Sequence, residues 1–84
     1  MTEKKLLVGI ASLLTTALDN DPTPLGVAYA AFMASGYSFD DFRTCTRIMS
    51  SAGLAVCTTE TMTLTDAGRA KARQFNHLLQ AQAN

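Results

Sequence analysis

At Gly53 the spacing of apolar residues changes, and that change constrains the fold more than any other feature of these 84 residues. Before it, Phe39, Phe42, Cys45, Ile48, Met49 and Ala52 recur at helical spacing. After it, Leu54–Thr58 and Thr61–Thr65 are rich in β-branched and apolar residues, and the second segment alternates as a strand does. Thr59-Glu60 is a tight connection between them, so the pair predicts a β-hairpin. An isolated hairpin is not stable in water and has to lie on helices. Leu54, Val56, Met62 and Leu64 are expected to roof them. Gly53 makes the junction because glycine readily takes the left-handed conformation that turns a helix sharply into a strand.

The remaining elements follow from caps and breakers. A first helix is predicted from about residue 3 to 18, ending at the breaker cluster Asn20-Asp21-Pro22. Its positive start and apolar continuation have the outline of a signal peptide. Against that, Glu3 sits in the charged segment, Ser12, Thr15 and Thr16 interrupt the apolar one, and Ala17-Leu18-Asp19 ends in a charge. Leu6, Ile10, Leu13, Leu14 and Ala17 fall on one side of a helix and the polar residues on the other, so an amphipathic helix is expected. Thr23 is predicted as N-cap of a second helix with Pro24 at its first position. That helix has Leu25, Ala28, Tyr29, Phe32 and Met33 on one face and ends at Ser35-Gly36. Its other positions (Val27, Ala30, Ala31, Ala34) are apolar too, so it needs cover on more than one side. Ser38 and Asp41 form a capping-box pair at the start of the third helix. Thr65 is expected to cap a last helix, Asp66 to about Gln80, with Ala72, Phe75, Leu78 and Leu79 as its apolar stripe.

Composition narrows the function. The chain is 48% hydrophobic and 17% charged, which suits a packed core, and its length fits one domain (1–84). Seven basic residues balance seven acidic ones, so any attraction to nucleic acid or an anionic surface has to come from a local patch. The longest apolar runs, Leu6–Ala11 and Leu25–Ala34, fall short of the roughly 18 residues a membrane span needs, and no membrane role is expected. Cys45, Cys57 and His77 lack the spacing and number of a zinc site. Both cysteines read as buried thiols of a reducing cytoplasm, in preference to a disulfide or a reactive nucleophile. No nucleophile–base pair and no glycine-rich phosphate loop is present, so neither an enzyme nor a cofactor is expected.

Mainly α with a small β-hairpin, in the order three helices, hairpin, helix, the chain resembles a winged helix-turn-helix domain: a three-helix core, a two-stranded wing and a C-terminal helix. The resemblance runs from Gly36 to Arg73 and is carried by Gly36-Tyr37-Ser38, Ala52-Gly53-Leu54-Ala55 and Leu64-Thr65-Asp66-Ala67-Gly68-Arg69. The last two are similar to the AAGLV and LTxxGR segments of MarR- and PadR-like members. The Thr23–Ser35 segment departs from the family pattern in being longer and nearly all apolar.

The resemblance implies that the third helix enters the major groove of double-stranded DNA, as in a small transcriptional regulator or accessory factor. This places Ser38, Arg43, Thr44 and Arg47 at the nucleic acid, with Asp40 and Asp41 nearby. Arg43 and Arg47, four apart, are suited to phosphates or a guanine edge. Asp40, Asp41 and a hairpin tip without Lys or Arg favour the other reading, a winged-helix fold used for protein contacts. Arg69, Lys71 and Arg73 read as a solvated face of the last helix rather than a second basic patch. Family members of this type commonly pair through terminal helices. With the wide apolar arc Leu6, Leu7, Ile10, Ala11, Leu14 and Leu18, this implies a homodimer through the first and last helices; the alternative is that those helices cover each other within one chain.

Overall fold

Local caps place the helices, and a strand that the sequence disguises ties them to the hairpin. The computed structural model describes the backbone of residues 2–83 and the side chains of residues 2–77. Among the described residues, four helices and a three-stranded antiparallel sheet follow in the order α1 (Glu3–Asp19), β1 (Thr23–Pro24), α2 (Leu25–Ala34), α3 (Phe39–Ser51), β2 (Ala55–Cys57), β3 (Thr61–Leu64) and α4 (Asp66–Ala83). The strand order is β1-β3-β2, with Thr23 opposite Met62 and Ala55 opposite Leu64.

The Thr2 hydroxyl caps α1 by accepting from the Lys5 N–H at 3.1 Å. The apolar side of α1 is buried as its spacing predicts, through Ile10, Leu13, Leu14 and Ala17. Gly9 adds a close approach that periodicity does not reveal. A Cβ there would meet Phe32 Cε1 at 3.1 Å and Tyr37 Cε1 at 3.2 Å, so α1 lies directly on the Phe32–Tyr37 ring stack. Tyr37 also donates its hydroxyl to the Lys5 carbonyl at 2.9 Å, fixing the α2–α3 turn to α1.

At the end of α3 the chain forms a complete left-handed helix stop. Gly53 has φ 74°, its N–H bonds the Ser50 carbonyl at 3.1 Å, and the Leu54 N–H reaches the Met49 carbonyl at 2.9 Å. Thr65 then joins strand to helix: its hydroxyl donates to the Gly53 carbonyl at 2.6 Å and accepts from the Gly68 N–H at 3.0 Å. Gly68 sits so close to the chain at Leu54 that a Cβ would overlap the Leu54 carbonyl oxygen. The glycine of the Thr65-Asp66-Ala67-Gly68 segment is therefore a contact requirement between α4 and the α3–β2 junction.

Four expectations are corrected. Thr23 is not a helix cap but a buried strand residue whose hydroxyl donates to the Asn20 carbonyl, and Pro24 occupies the N-cap position of α2. The sheet has three strands rather than two, because β1 pairs with β3 and the Leu25 N–H bonds the Glu60 carbonyl at 2.9 Å. Val56 does not roof the core: it is 59% exposed, and Ala55, on the opposite strand face, is buried in its place with Met62 and Leu64. Met33, Phe39 and Ile48, expected on apolar helix faces, are all exposed, although α2 does bury Ala28 and Phe32. Leu78 and Leu79 lie outside the residues whose side chains are described.

Candidate nucleic-acid interface

Helix α3 begins with the predicted capping box. The Ser38 hydroxyl accepts from the Asp41 N–H at 3.2 Å, and Asp41 Oδ2 accepts from the Ser38 N–H at 3.0 Å. That backbone N–H is the main reason the Asp41 carboxyl is held below its ordinary pKa, outweighing a desolvation effect of opposite sign. Asp41 is thus turned onto its own helix end, where its charge also complements the macrodipole.

Of the sequence-derived contact residues, Arg43, Thr44 and Arg47 share the exposed side of α3 with Asp40, while Ser38, also exposed, sits at the N-cap that precedes the helix. The Thr44 hydroxyl donates to the Asp40 carbonyl at 2.9 Å and keeps its acceptor capacity outward. Among the described residues, neither Arg43 nor Arg47 has a carboxylate within salt-bridge distance. The two ion pairs among the described residues belong to Arg69, which joins Asp21 at 3.1 Å and Asp66 at 2.7 Å and donates to the Leu64 carbonyl. Arg69 is accordingly a clamp between α4 and the α1–β1 connection, while Lys71 and Arg73 stay exposed.

The hairpin tip is a self-satisfied turn. The Thr58 hydroxyl accepts from the Glu60 N–H at 3.2 Å and the Thr61 N–H at 2.9 Å and donates to the Thr61 carbonyl at 3.3 Å, so these three donors are already used within the turn and leave little to offer a phosphate. Between this tip, the start of α2 and the first turns of α3 lies a groove of about 490 Å³. Its floor is aromatic: Tyr29 meets Phe39 edge-on at 5.5 Å and Phe42 at 5.4 Å. Phe39 forms the lip and Arg43 reaches the same groove from α3. Sequence reasoning missed this feature by assigning Phe39 to the core; the one available sign was the excess of apolar residues on α2.

Cys45 is on the buried face of α3, and burial pushes its thiol up to about 11, whereas Cys57, expected to be buried too, is only half-buried at the groove. Among the described residues no cluster of His, Cys, Asp or Glu could hold a metal ion, and no helix is long and apolar enough to cross a membrane. No family model, curated protein or solved structure matches this chain.

Proposed function

We propose that the chain is a winged helix-turn-helix domain that contacts duplex DNA through α3. The fold reading is supported by the order of helices and hairpin, the left-handed Gly53 stop and the Thr65–Gly68 junction. The observation that carries the functional reading is the pair Arg43 and Arg47, one turn apart on the exposed face of α3 without a carboxylate partner among the described residues. The capping box strengthens it by taking Asp41 out of opposition to the phosphates. Thr44 lies beside the arginines and Ser38 at the helix start, each with a hydroxyl able to meet the backbone.

Self-association belongs to the same proposal. Helices α1 and α4 pack on one another, yet Leu7 and Val8 remain 53% and 54% exposed along α1. Pairing of two chains along that edge doubles the number of arginines in one particle. In this reading the protein acts in the cytoplasm as a small regulator or accessory factor.

Fluorescence anisotropy of a labelled random duplex at low salt tests the proposal. Binding is expected with Kd in the tens of micromolar, within the range of non-specific affinity, and weaker still in Arg43→Ala and Arg47→Ala. Absence of binding at those concentrations removes duplex DNA as a general partner. The half-exposed Phe39 groove favours a second reading, a winged-helix fold that makes protein contacts, and that reading predicts a partner whose binding ignores DNA and depends on the groove.

A further inference from the structure

We infer that the groove between α2, α3 and the hairpin docks an acidic segment of a partner protein, which inserts one large apolar side chain beside Phe39 and pairs a carboxylate with Arg43. The inference deepens the protein-contact reading and does not require DNA binding. Three observations carry it.

The first is charge. Among the described residues lining the groove, Arg43 is the sole formally charged one, set among apolar and hydroxyl-bearing neighbours, with no carboxylate in the lining. A group seated there meets an unopposed guanidinium, and a carboxylate is its geometric complement. The second is Gly26. It sits inside α2 without a positive φ, and a Cβ there would meet nothing within 4 Å. Neither backbone conformation nor close packing calls for glycine at this helical position, where alanine would be the better helix former. What the missing side chain does is leave the groove open, since Gly26 is part of its wall.

The third is shape, which decides between a polypeptide and a small molecule. Sites for small molecules bury most of the ligand. Here the lip is 54% exposed Phe39, and the apolar surface runs past the groove along Gly26, Ala30 and Met33, which share one face of α2 by helical spacing. Val27 and Met33 are 52% and 53% exposed. A small molecule would leave that strip wet. A segment of chain covers it while one anchor fills the groove, the usual division between a buried hot spot and its surround. The aromatic floor is preformed by the edge-to-face contacts of Tyr29 with Phe39 and Phe42, so seating an anchor needs little reordering.

A random twelve-residue peptide library displayed on phage, panned against the full chain, supplies the probes, and the enriched peptides are then titrated by anisotropy. Enriched sequences are expected to carry a Phe, Trp, Leu or Met with an Asp or Glu within about one helical turn. Gly26→Leu, which fills the groove, should weaken them at least about tenfold while melting no lower than the wild type. Arg43→Glu should weaken them similarly or exchange the acidic preference for a basic one. Bound peptide should slow alkylation of Cys57 by iodoacetamide. Failure to enrich, acid-free winners, or peptides that bind Gly26→Leu as well as wild type would each overturn the inference. Small aromatic acids that shield Cys57 where peptides do not would overturn it too, by assigning the groove to a small molecule. Gly26→Leu retains Arg43 and Arg47, so it should keep whatever DNA affinity the wild type has, and loss of the DNA reading leaves the peptide result intact.

Discussion

Gly68 tolerates a side chain less than any other glycine in the chain, since a Cβ would run into the backbone carbonyl of Leu54 rather than into a movable side chain. Gly68→Ala is expected to cost about 3 kcal/mol in urea denaturation, the upper part of the range for overpacking. Gly9→Ala meets the Phe32 and Tyr37 rings at 3.1 to 3.2 Å, a far smaller overlap, and should cost less. The capping box makes a pH-dependent prediction. Because the folded Asp41 pKa lies below 3.8, its contribution is complete above that value and is lost as pH falls through the depressed folded value. Ser38→Ala should cost about 1 kcal/mol at neutral pH, and both Ser38→Ala and Asp41→Asn should flatten the acid limb of thermal stability against pH. Cys45 has the opposite sign. Its thiol is raised from 9.0 to about 11, so its contribution is full below pH 9.0 and disappears as pH rises toward 11. A thiol reagent at pH 8 should therefore modify Cys57 alone in the native protein and reach Cys45 only after denaturation. These residue-level roles were legible in part: Ser38-Asp41 and Gly53 announce themselves by type and spacing, but the need for Gly68 depends on a strand junction distant in the chain.

Among the elements, the hairpin separates what periodicity can and cannot tell. Both parities of the segment after Gly53 carry apolar residues, so alternation alone leaves the buried face of β2 undecided. The helix stop settles it: Leu54 is consumed by its bond to Met49, the strand begins at Ala55, and Val56 turns outward. Val56→Lys is accordingly expected to change stability by no more than about 0.5 kcal/mol, whereas Met62→Ala should cost about 3 kcal/mol by thermal denaturation. The second strand was clearer, since its register pairs Met62 and Leu64 with the core as their alternation predicts. β1 was hidden for a different reason. A Thr-Pro pair ahead of an apolar run satisfies the local rules for a helix start, and pairing with β3 overrides them. Proline is tolerated there because β1 is an edge strand, where its missing N–H breaks no ladder. Thr65 belongs to this scale as well, serving α4 and the α3–β2 turn with one hydroxyl, and Thr65→Ala should cost between about 1 and 2 kcal/mol.

For the whole molecule, balanced charge limits the DNA proposal quantitatively. Two arginines on each chain of a dimer neutralise at most about four phosphates, so log Kd should vary with log salt by a slope no steeper than about 4, and each arginine removed should lower it. Sedimentation equilibrium of the wild type is expected to report twice the 9.0 kDa chain mass at high concentration. Leu7→Glu with Val8→Glu should return the single-chain value, and a wild type that stays at 9.0 kDa throughout would retire the dimer. Helices α1 to α4, the caps Ser38 and Thr65 and the reversal at Gly53 were readable from residue order, because such a cap, a left-handed glycine or an amphipathic stripe is decided within a few neighbouring positions. That Thr23-Pro24 joins a sheet and that Phe39 lines an open groove instead of the core were settled only by packing. Each depends on a surface supplied from elsewhere in the chain, and local spacing holds no record of which surface arrives.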